Sequence, residues 1–450
     1  MDEAVILFGF HDSGWIKTSD KMNVTLNKSS TFLGIILILF QMIPIIGSSQ
    51  KLFDIYRKRD SEKFKSVVQN NPGLLNIRNA EGSTILHLAA RNNSISFLKI
   101  IVENGGEINA QDSNGRTALM YSSRNGNMDN IKYLLSRHAD VKVRDNEGKT
   151  VMFYALEKQD ILDFYLSNGG DINSTDNFGS TLLMNAIQNW YSSQALYLIN
   201  AGSDLNIKNS FNKTALYYAV KSANRPVVEE LLLKGADINI KDKDGTSLLM
   251  VSCINNDLPM TTYLLSKGCK TTEFDNSGGS PLNYAILNQS MPIIELLITS
   301  EANVNSMSFL NTTPLMYACY IGNITIIDYL IQKGAEVKVK DLYGRDPLMY
   351  YFFIPPTRDA GLYEKYYSLP AKSVIDLLFS HGQDINSRDN DGNTILMYAG
   401  YLGLKSIVQY LISKGADQDL KNKDGYTAAD IVKDAGFEKL YEMMTLKIHD

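Results

Sequence analysis

From Asn79 onward the chain repeats itself every 33 residues, and a fixed period of that length admits only architectures in which one small unit stacks on copies of itself. Anchored on the polar turn that opens each unit, the starts fall at Asn79, Asp112, Asp145, Asp176, Asn209, Asp242, Asp275, Ser308, Asp341, Asp389 and Asn422. Two units depart from the period: the one opening at Asp145 spans 31 residues and the one opening at Asp341 spans 48. A length of 450 residues would ordinarily imply about three globular domains. The repetition replaces that expectation with a single elongated body of about eleven units, an all-α repeat solenoid of stacked helix-turn-helix pairs.

Each phase of the unit has a physical role. Thr84, Thr117, Thr150, Thr181, Thr214, Thr394 and Thr427 stand where a helix must begin, and a threonine oxygen there accepts an orphan amide. Ala89, Ala155, Ala186, Ala219, Ala285, Ala318 and Ala399 recur at one phase of the first helix, where a small side chain lets a neighbouring helix approach to about 8–10 Å. Leu134-Leu135, Leu231-Leu232, Leu264-Leu265 and Leu296-Leu297 give the second helix an apolar face that one unit alone cannot bury. Gly105, Gly169, Gly202, Gly235, Gly268, Gly334, Gly382 and Gly415 follow that helix, where a left-handed residue ends it cheaply. His138 and Glu301 hold this phase in two units, at an expected strain of about 1–2 kcal/mol each.

The opening Asp-x-x-Gly, as in Asp112-Ser-Asn-Gly115 and Asp242-Lys-Asp-Gly245, is followed by Thr-x-Leu-x-x-Ala and later by Leu-Leu-x-x-Gly-Ala-Asp-x-Asn. This pattern resembles the ankyrin repeat family. The resemblance implies β-turn fingers between the helix pairs, a concave surface for a protein partner, and a binding role without catalysis. Ten such repeats are expected over 79–421, between an incomplete capping repeat at 50–78 and a C-terminal capping repeat at 422–450. In the first, Leu52, Phe53, Ile55, Tyr56, Phe64, Val67 and Val68 form two short amphipathic stretches. In the second, Ile431 takes the alanine phase, and Lys433, Asp434, Glu438 and Lys439 suit an outer face.

Residues 1–49 read as a leader. The uncharged segment Ser29–Gln50 contains an apolar run over 32–47, short for a spanning helix and suited to a signal-peptide core. Gly47-Ser48-Ser49 supplies small residues for cleavage before Gln50, and Met22 is a plausible start, giving Met22–Lys28 as a short basic leader. Export to the periplasm or exterior is the expectation. A single N-terminal membrane anchor and a buried helix remain alternatives. Flanking charge favours the anchor, since Lys51, Arg57, Lys58, Arg59, Lys63 and Lys65 outnumber Lys17, Lys21 and Lys28, which would hold the repeats in the cytoplasm. Large folded domains, however, translocate largely regardless of such charge.

No active site assembles from the sequence. The five histidines (His11, His87, His138, His381, His449) share no convergent spacing. Asp242-x-Asp244-Gly245 and Asp389-x-Asp391-Gly392 faintly resemble a calcium loop, but Ile240 and Ser387 would occupy its first ligand position. No phosphate loop, nucleophile elbow or metal spacing is present, and no cofactor is expected. Forty-four basic against 49 acidic residues leave a net charge of −5, with no basic stripe for nucleic acid. Three cysteines cannot frame a disulfide fold, and Cys253 and Cys319, two repeats or roughly 20 Å apart, cannot bridge.

Function is therefore sought in bias along the stack. The two residues after the small pair of the first helix, expected on the concave side, are polar in the first five repeats: Arg91-Asn92, Arg124-Asn125, Glu157-Lys158, Gln188-Asn189 and Lys221-Ser222. In the next five they become Ile254-Asn255, Leu287-Asn288, Tyr320-Ile321, Phe353-Ile354 and Tyr401-Leu402. Turn tips shift likewise, to Phe309-Leu310 and Leu342-Tyr343, although Phe178 and Phe211 interrupt the early polar set. The extra 15 residues of the ninth repeat run approximately over 354–372 and bring Pro355-Pro356, Tyr363, Tyr366, Tyr367 and Pro370, while Tyr351 and Phe352 replace the small pair.

The expected site is thus a protein-binding groove in repeats seven to ten, formed by Phe309, Leu310, Tyr320, Ile321, Leu342, Tyr343, Phe353, Tyr363, Tyr366, Tyr367, Tyr401 and Leu402. The competing expectation is that the insertion folds back and covers this strip. A tyrosine stripe at Tyr121, Tyr154, Tyr218, Tyr284, Tyr317, Tyr350 and Tyr398 is expected to serve inter-repeat packing, with a ligand site as the alternative. Other roles open at this point are a regulatory or inhibitory enzyme subunit, an enzyme with an unrecognised site in the insertion, and a spacer that presents nothing. The partner's identity and the oligomeric state are not encoded in these patterns.

Overall fold

A computed structural model of the protein describes residues 51–352 and 370–445. The expected all-α solenoid is observed: helix pairs succeed one another from Ser61–Asn70 to Glu438–Thr445, and among the described residues β structure is limited to isolated bridges such as Lys241–Ser247. In repeat two the first helix is Ala118–Asn125 and the second Met128–Ser136; in repeat seven they are Pro281–Leu287 and Met291–Thr299. One hydrophobic core runs the length of the stack. The alanines of the small phase are all buried within it.

The opening turns are fixed by the residues that open them. Asp112 Oδ1 accepts the amides of Asn114 and Arg116 at 2.9 Å, and Asp242 repeats this with Asp244 and Thr246 at 3.0 Å. These carboxylates are consumed by backbone N–H groups, which is why the acidic turns are not calcium loops. Ser308 does the same with its hydroxyl, accepting from Leu310 and Thr312.

Their second oxygen gives the tyrosine stripe, whose rings pack against the common core, a hydroxyl partner that the sequence reading did not name. The hydroxyl of Tyr121 donates to Asp112 Oδ2 at 2.6 Å, nine residues back in the same repeat. Tyr154, Tyr284, Tyr350 and Tyr398 do likewise to Asp145, Asp275, Asp341 and Asp389, and Tyr218 accepts from Asn209. In repeats two, three, five, seven, nine and ten the stripe ties the finger to its own helix. Repeat six has Val251 at this phase, and Tyr217 of the preceding repeat serves Asp242 instead, at 3.1 Å.

Helix starts follow the capping expectation except at Thr84 and Thr150. Thr117, Thr181, Thr214, Thr394 and Thr427 accept from the third helical amide, as do Ser247, Ser280, Thr313 and Asp346 in repeats without the threonine. Thr150 makes no such bond, and its hydroxyl lies 3.3 Å from Ser174 Oγ. The third helical residue closes the cap. His87 does so in repeat one; Met120, Met250, Met316 and Met397 do so in later repeats, their Sδ receiving the cap N–H at 3.4–3.5 Å.

Successive repeats are stitched at two phases. Asn76, Asn109, Asn173, Asn206, Asn305 and Asn386 accept the amides of Glu107, Asp140, Asp204, Asp237, Glu336 and Asp417 at 2.8–2.9 Å. Fingertips add a backbone ladder, from Ser113 N to Glu81 O through Lys423 N to Asp391 O. Among the described residues the rung between Phe309 and Ser277 is the one missing. All eight glycines after the second helix have φ between +85° and +95°, while His138 and Glu301 sit at +65° and +66°. The strained backbone is retained at both.

The two irregular repeats differ in kind. Repeat three is shortened in its first helix: Thr150 is followed by only Val151–Tyr154, and residues 155–158 lead to the second helix, Gln159–Ser167. Repeat nine keeps both helices, Pro347–Tyr351 and Pro370–Ser380, so Ala371 and Lys372 belong to the second helix and the insertion closes earlier than 372. Tyr351 and Phe352 are buried rather than exposed, with ring centroids 5.3 Å apart. Repeat eight makes room, since a Cβ on Gly322 would lie 3.2 Å from the Tyr351 ring.

At the N-terminal end Tyr56, Phe64 and Phe97 meet edge to face, and Tyr56 donates to the Leu88 carbonyl. At the C-terminal end Val432 and Leu440 are buried while Lys433, Asp434, Glu438 and Lys439 face solvent. Among the described residues no helix is long and apolar enough to cross a membrane. The 32–47 run lies outside them.

Candidate partner-binding surface

The concave surface is built by the C-terminal end of each first helix, and its two phases have different jobs. At the second phase Asn125, Asn255 and Asn288 each donate to the carbonyl of Arg91, Lys221 and Ile254 in the preceding repeat, at 2.8 Å. Lys158 reaches the Arg124 carbonyl in the same way. These side chains satisfy orphan carbonyls at helix ends and are not free for a partner. The surface is therefore written by the first phase alone.

That phase reads Arg91, Arg124, Glu157, Gln188 and Lys221, all exposed, then Ile254, Leu287, Tyr320 and Tyr401. Ile254, Leu287 and Tyr320 are exposed by 40–43% and Tyr401 by 61%. Phe309, Leu310, Leu342 and Tyr343 stand out from the fingertips beside them. Ile321 is half-buried. Leu402 is 9% exposed and belongs to the core, because its phase turns toward the neighbouring repeat. Phe353, Tyr363, Tyr366 and Tyr367 lie outside the described residues.

Electrostatics adds anchoring to this ridge. Arg345 binds Asp341 at 2.6 Å and stacks over the rings of Tyr343 and Tyr350, which holds one apolar fingertip against its own repeat. Burial pushes the Tyr350 hydroxyl up to about 12, so it stays a protonated donor. Sequence reasoning gave less weight to two other apolar exposures. Phe178 and Phe211 stack on consecutive fingertips with centroids 6.3 Å apart, and Trp190 projects from a left-handed position between two helices. The Trp190 signal was its presence at a phase held by Asn93, Gly126 or Asn256 elsewhere.

Catalytic chemistry finds no centre among the described residues. No cluster of His, Cys, Asp and Glu could hold a metal ion. All three cysteines are free, and burial pushes Cys253 and Cys269 up to about 12, which keeps both as thiols. His87 is enclosed: its Nδ1 accepts from the Thr84 amide and its Nε2 donates to the Arg116 carbonyl, so it is neutral. Burial lowers its pKa accordingly. His381 folds onto the Leu377 carbonyl of its own helix.

The family described as Ankyrin repeats (3 copies) matches residues 55–145, 86–162, 151–242, 216–308, 293–351 and 368–439. The matches stop at Tyr351 and resume at Ser368, on either side of the insertion. Comparison with curated proteins gives no match. With paired helices, Asx-locked fingers and a family match that runs almost unbroken from 55 to 439, the chain belongs to the ankyrin repeat family.

Proposed function

We propose that the protein is a non-enzymatic scaffold that holds a protein partner along the concave side of repeats six to ten. Ankyrin repeats generally mediate protein–protein interaction, and the observation that carries the location is the exposed ridge Ile254, Leu287, Tyr320 and Tyr401 flanked by Phe309, Leu310, Leu342 and Tyr343. Exposed apolar side chains gathered on one face mark interaction sites in soluble proteins. Aromatic anchors of this kind carry most of the energy of protein interfaces.

The test replaces Phe309, Tyr320 and Tyr401 by Ser together. Partners captured by the wild type should be lost while the thermal midpoint changes little; unchanged capture sinks the site. We further propose that the 32–47 run directs export. N-terminal sequencing of the mature protein should return a chain beginning at Gln50, and an intact run would establish an anchor instead.

A further inference from the structure

Two departures from the repeat coincide on the concave side of repeats two to four. Repeat three is two residues shorter than the period and its first helix is cut to Val151–Tyr154, and repeat four carries Asn185 where the finger-binding tyrosine stands in most repeats. Together they leave a half-open cavity of ≈ 280 Å³ between the fingers and the first helices.

Its walls carry three cations and two carboxylates, and the balance is uneven. Lys149 is bonded to Glu147 at 2.6 Å, and Glu157 accepts the Tyr191 hydroxyl. Arg116 gives its Nε to the Tyr154 hydroxyl at 2.9 Å, and Arg124 projects into solvent; among the described residues neither has a carboxylate partner. The site's own anions are already engaged, whereas no carboxylate among the described residues pairs with either guanidinium, Arg116 being bonded to the Tyr154 hydroxyl and set over its ring. Charge-assisted bonds to Glu147 from Lys149, with Arg116 nearby, lower that carboxyl's pKa, consistent with local positive potential.

We infer that this notch is a second subsite of the scaffold, binding a carboxylate of a peptide partner through Arg116 and Arg124. Guanidinium donors match a carboxylate in a fork, which gives direction as well as energy. The ridge would then hold apolar side chains of the partner and the notch one acidic group, which fixes the polarity of the bound chain. The inference rests on the scaffold reading but concerns a site remote from the ridge.

The experiment uses the protein's own reporter. Trp190 borders the notch beside Tyr191 and is exposed, so a Trp15→Phe background makes it the sole tryptophan of a chain that has two. Acetylated, amidated tetra-glutamate offers side-chain carboxylates, and acetylated tetra-glycine with a free C-terminus offers a terminal one. Saturable change in Trp190 emission with either peptide supports the site and names the source; no change with both overturns it. Arg124→Gln should weaken binding about tenfold, as loss of one charge-assisted hydrogen bond does. Lys221→Gln, at the same helix phase outside the notch, should leave affinity unaltered; an equal loss there overturns the site as nonspecific charge. Tyr320→Ser with Tyr401→Ser should also leave peptide affinity unaltered, so failure of the ridge and failure of the notch are read separately.

Discussion

Repeats two and seven are the same object below the surface and different objects above it. Both open on an aspartate that captures two amides and a tyrosine, Asp112 with Tyr121 and Asp275 with Tyr284. Each caps its first helix with a hydroxyl, Thr117 or Ser280, and each ends its second helix on a strained non-glycine, His138 or Glu301. Among the exposed positions at which they diverge is the first phase of the concave side, Arg124 against Leu287. An ankyrin stack separates what holds it together from what it shows to a partner, and a few first-phase residues suffice to change the second.

The largest expected effect lies at that divergent position. Leu287→Arg combined with Tyr320→Ser and Tyr401→Ser should reduce partner affinity by at least about 100-fold, the cost of removing two or more interface anchors. Arg124→Leu should cost no more than the share of the notch, about tenfold. Titration calorimetry or surface binding decides; equal losses from the two would erase the contrast between the repeats.

Substitution at the shared positions should cost stability equally. Asp112→Ala and Asp275→Ala each orphan two amides and a tyrosine hydroxyl, an expected loss of about 3 kcal/mol. Urea unfolding of each variant measures it, and a loss confined to one repeat would show that the frames are not equivalent. Glycine at the strained positions works the other way. His138→Gly and Glu301→Gly should each gain about 1 kcal/mol, because a left-handed residue without a Cβ relieves the strain. A raised urea midpoint is the expected reading, and a lowered one refutes the strain.

The smallest effect depends on pH. His87 is held neutral in the fold with its pKa below the ordinary 6.5, so the unfolded chain binds a proton more readily. Its contribution is complete above about pH 6.5 and is lost as pH falls from there through the folded value. His87→Met, which copies the cap of repeats two, six, eight and ten, should reduce that acid sensitivity. Thermal midpoints of both proteins at pH 7.5 and 5.5 test this; parallel shifts would exclude His87 as the source.

Much of this was legible in the sequence because each repeat solves the same packing problem with the same side chains. The period, the buried alanines, the hydroxyl caps and the left-handed glycines could all be placed before any coordinates. The tyrosine stripe was seen as a packing element, but its hydroxyl partner was not, since that partner is nine residues back across a turn, beyond helical or strand spacing. Asn125, Asn255 and Asn288 looked like surface polarity; only the neighbouring repeat reveals that they serve a carbonyl. Leu402 was misplaced for the same reason, as burial between repeats depends on the next unit. The shortening of repeat three was visible as two missing residues, but the cavity it leaves needed the coincident Asn185 and three dimensions.

The missing fingertip rung between Ser277 and Phe309 has a thermodynamic reading. In a linear array, stability is a sum of unit terms and nearest-neighbour coupling terms, so one absent hydrogen bond subtracts about 1 kcal/mol from a single coupling. That raises the weight of states with a folded–unfolded boundary at this junction by roughly fivefold over its neighbours. Cooperativity should be interrupted where repeat eight begins, so repeats eight to ten, with the aromatic fingertips, should loosen separately from repeats one to seven.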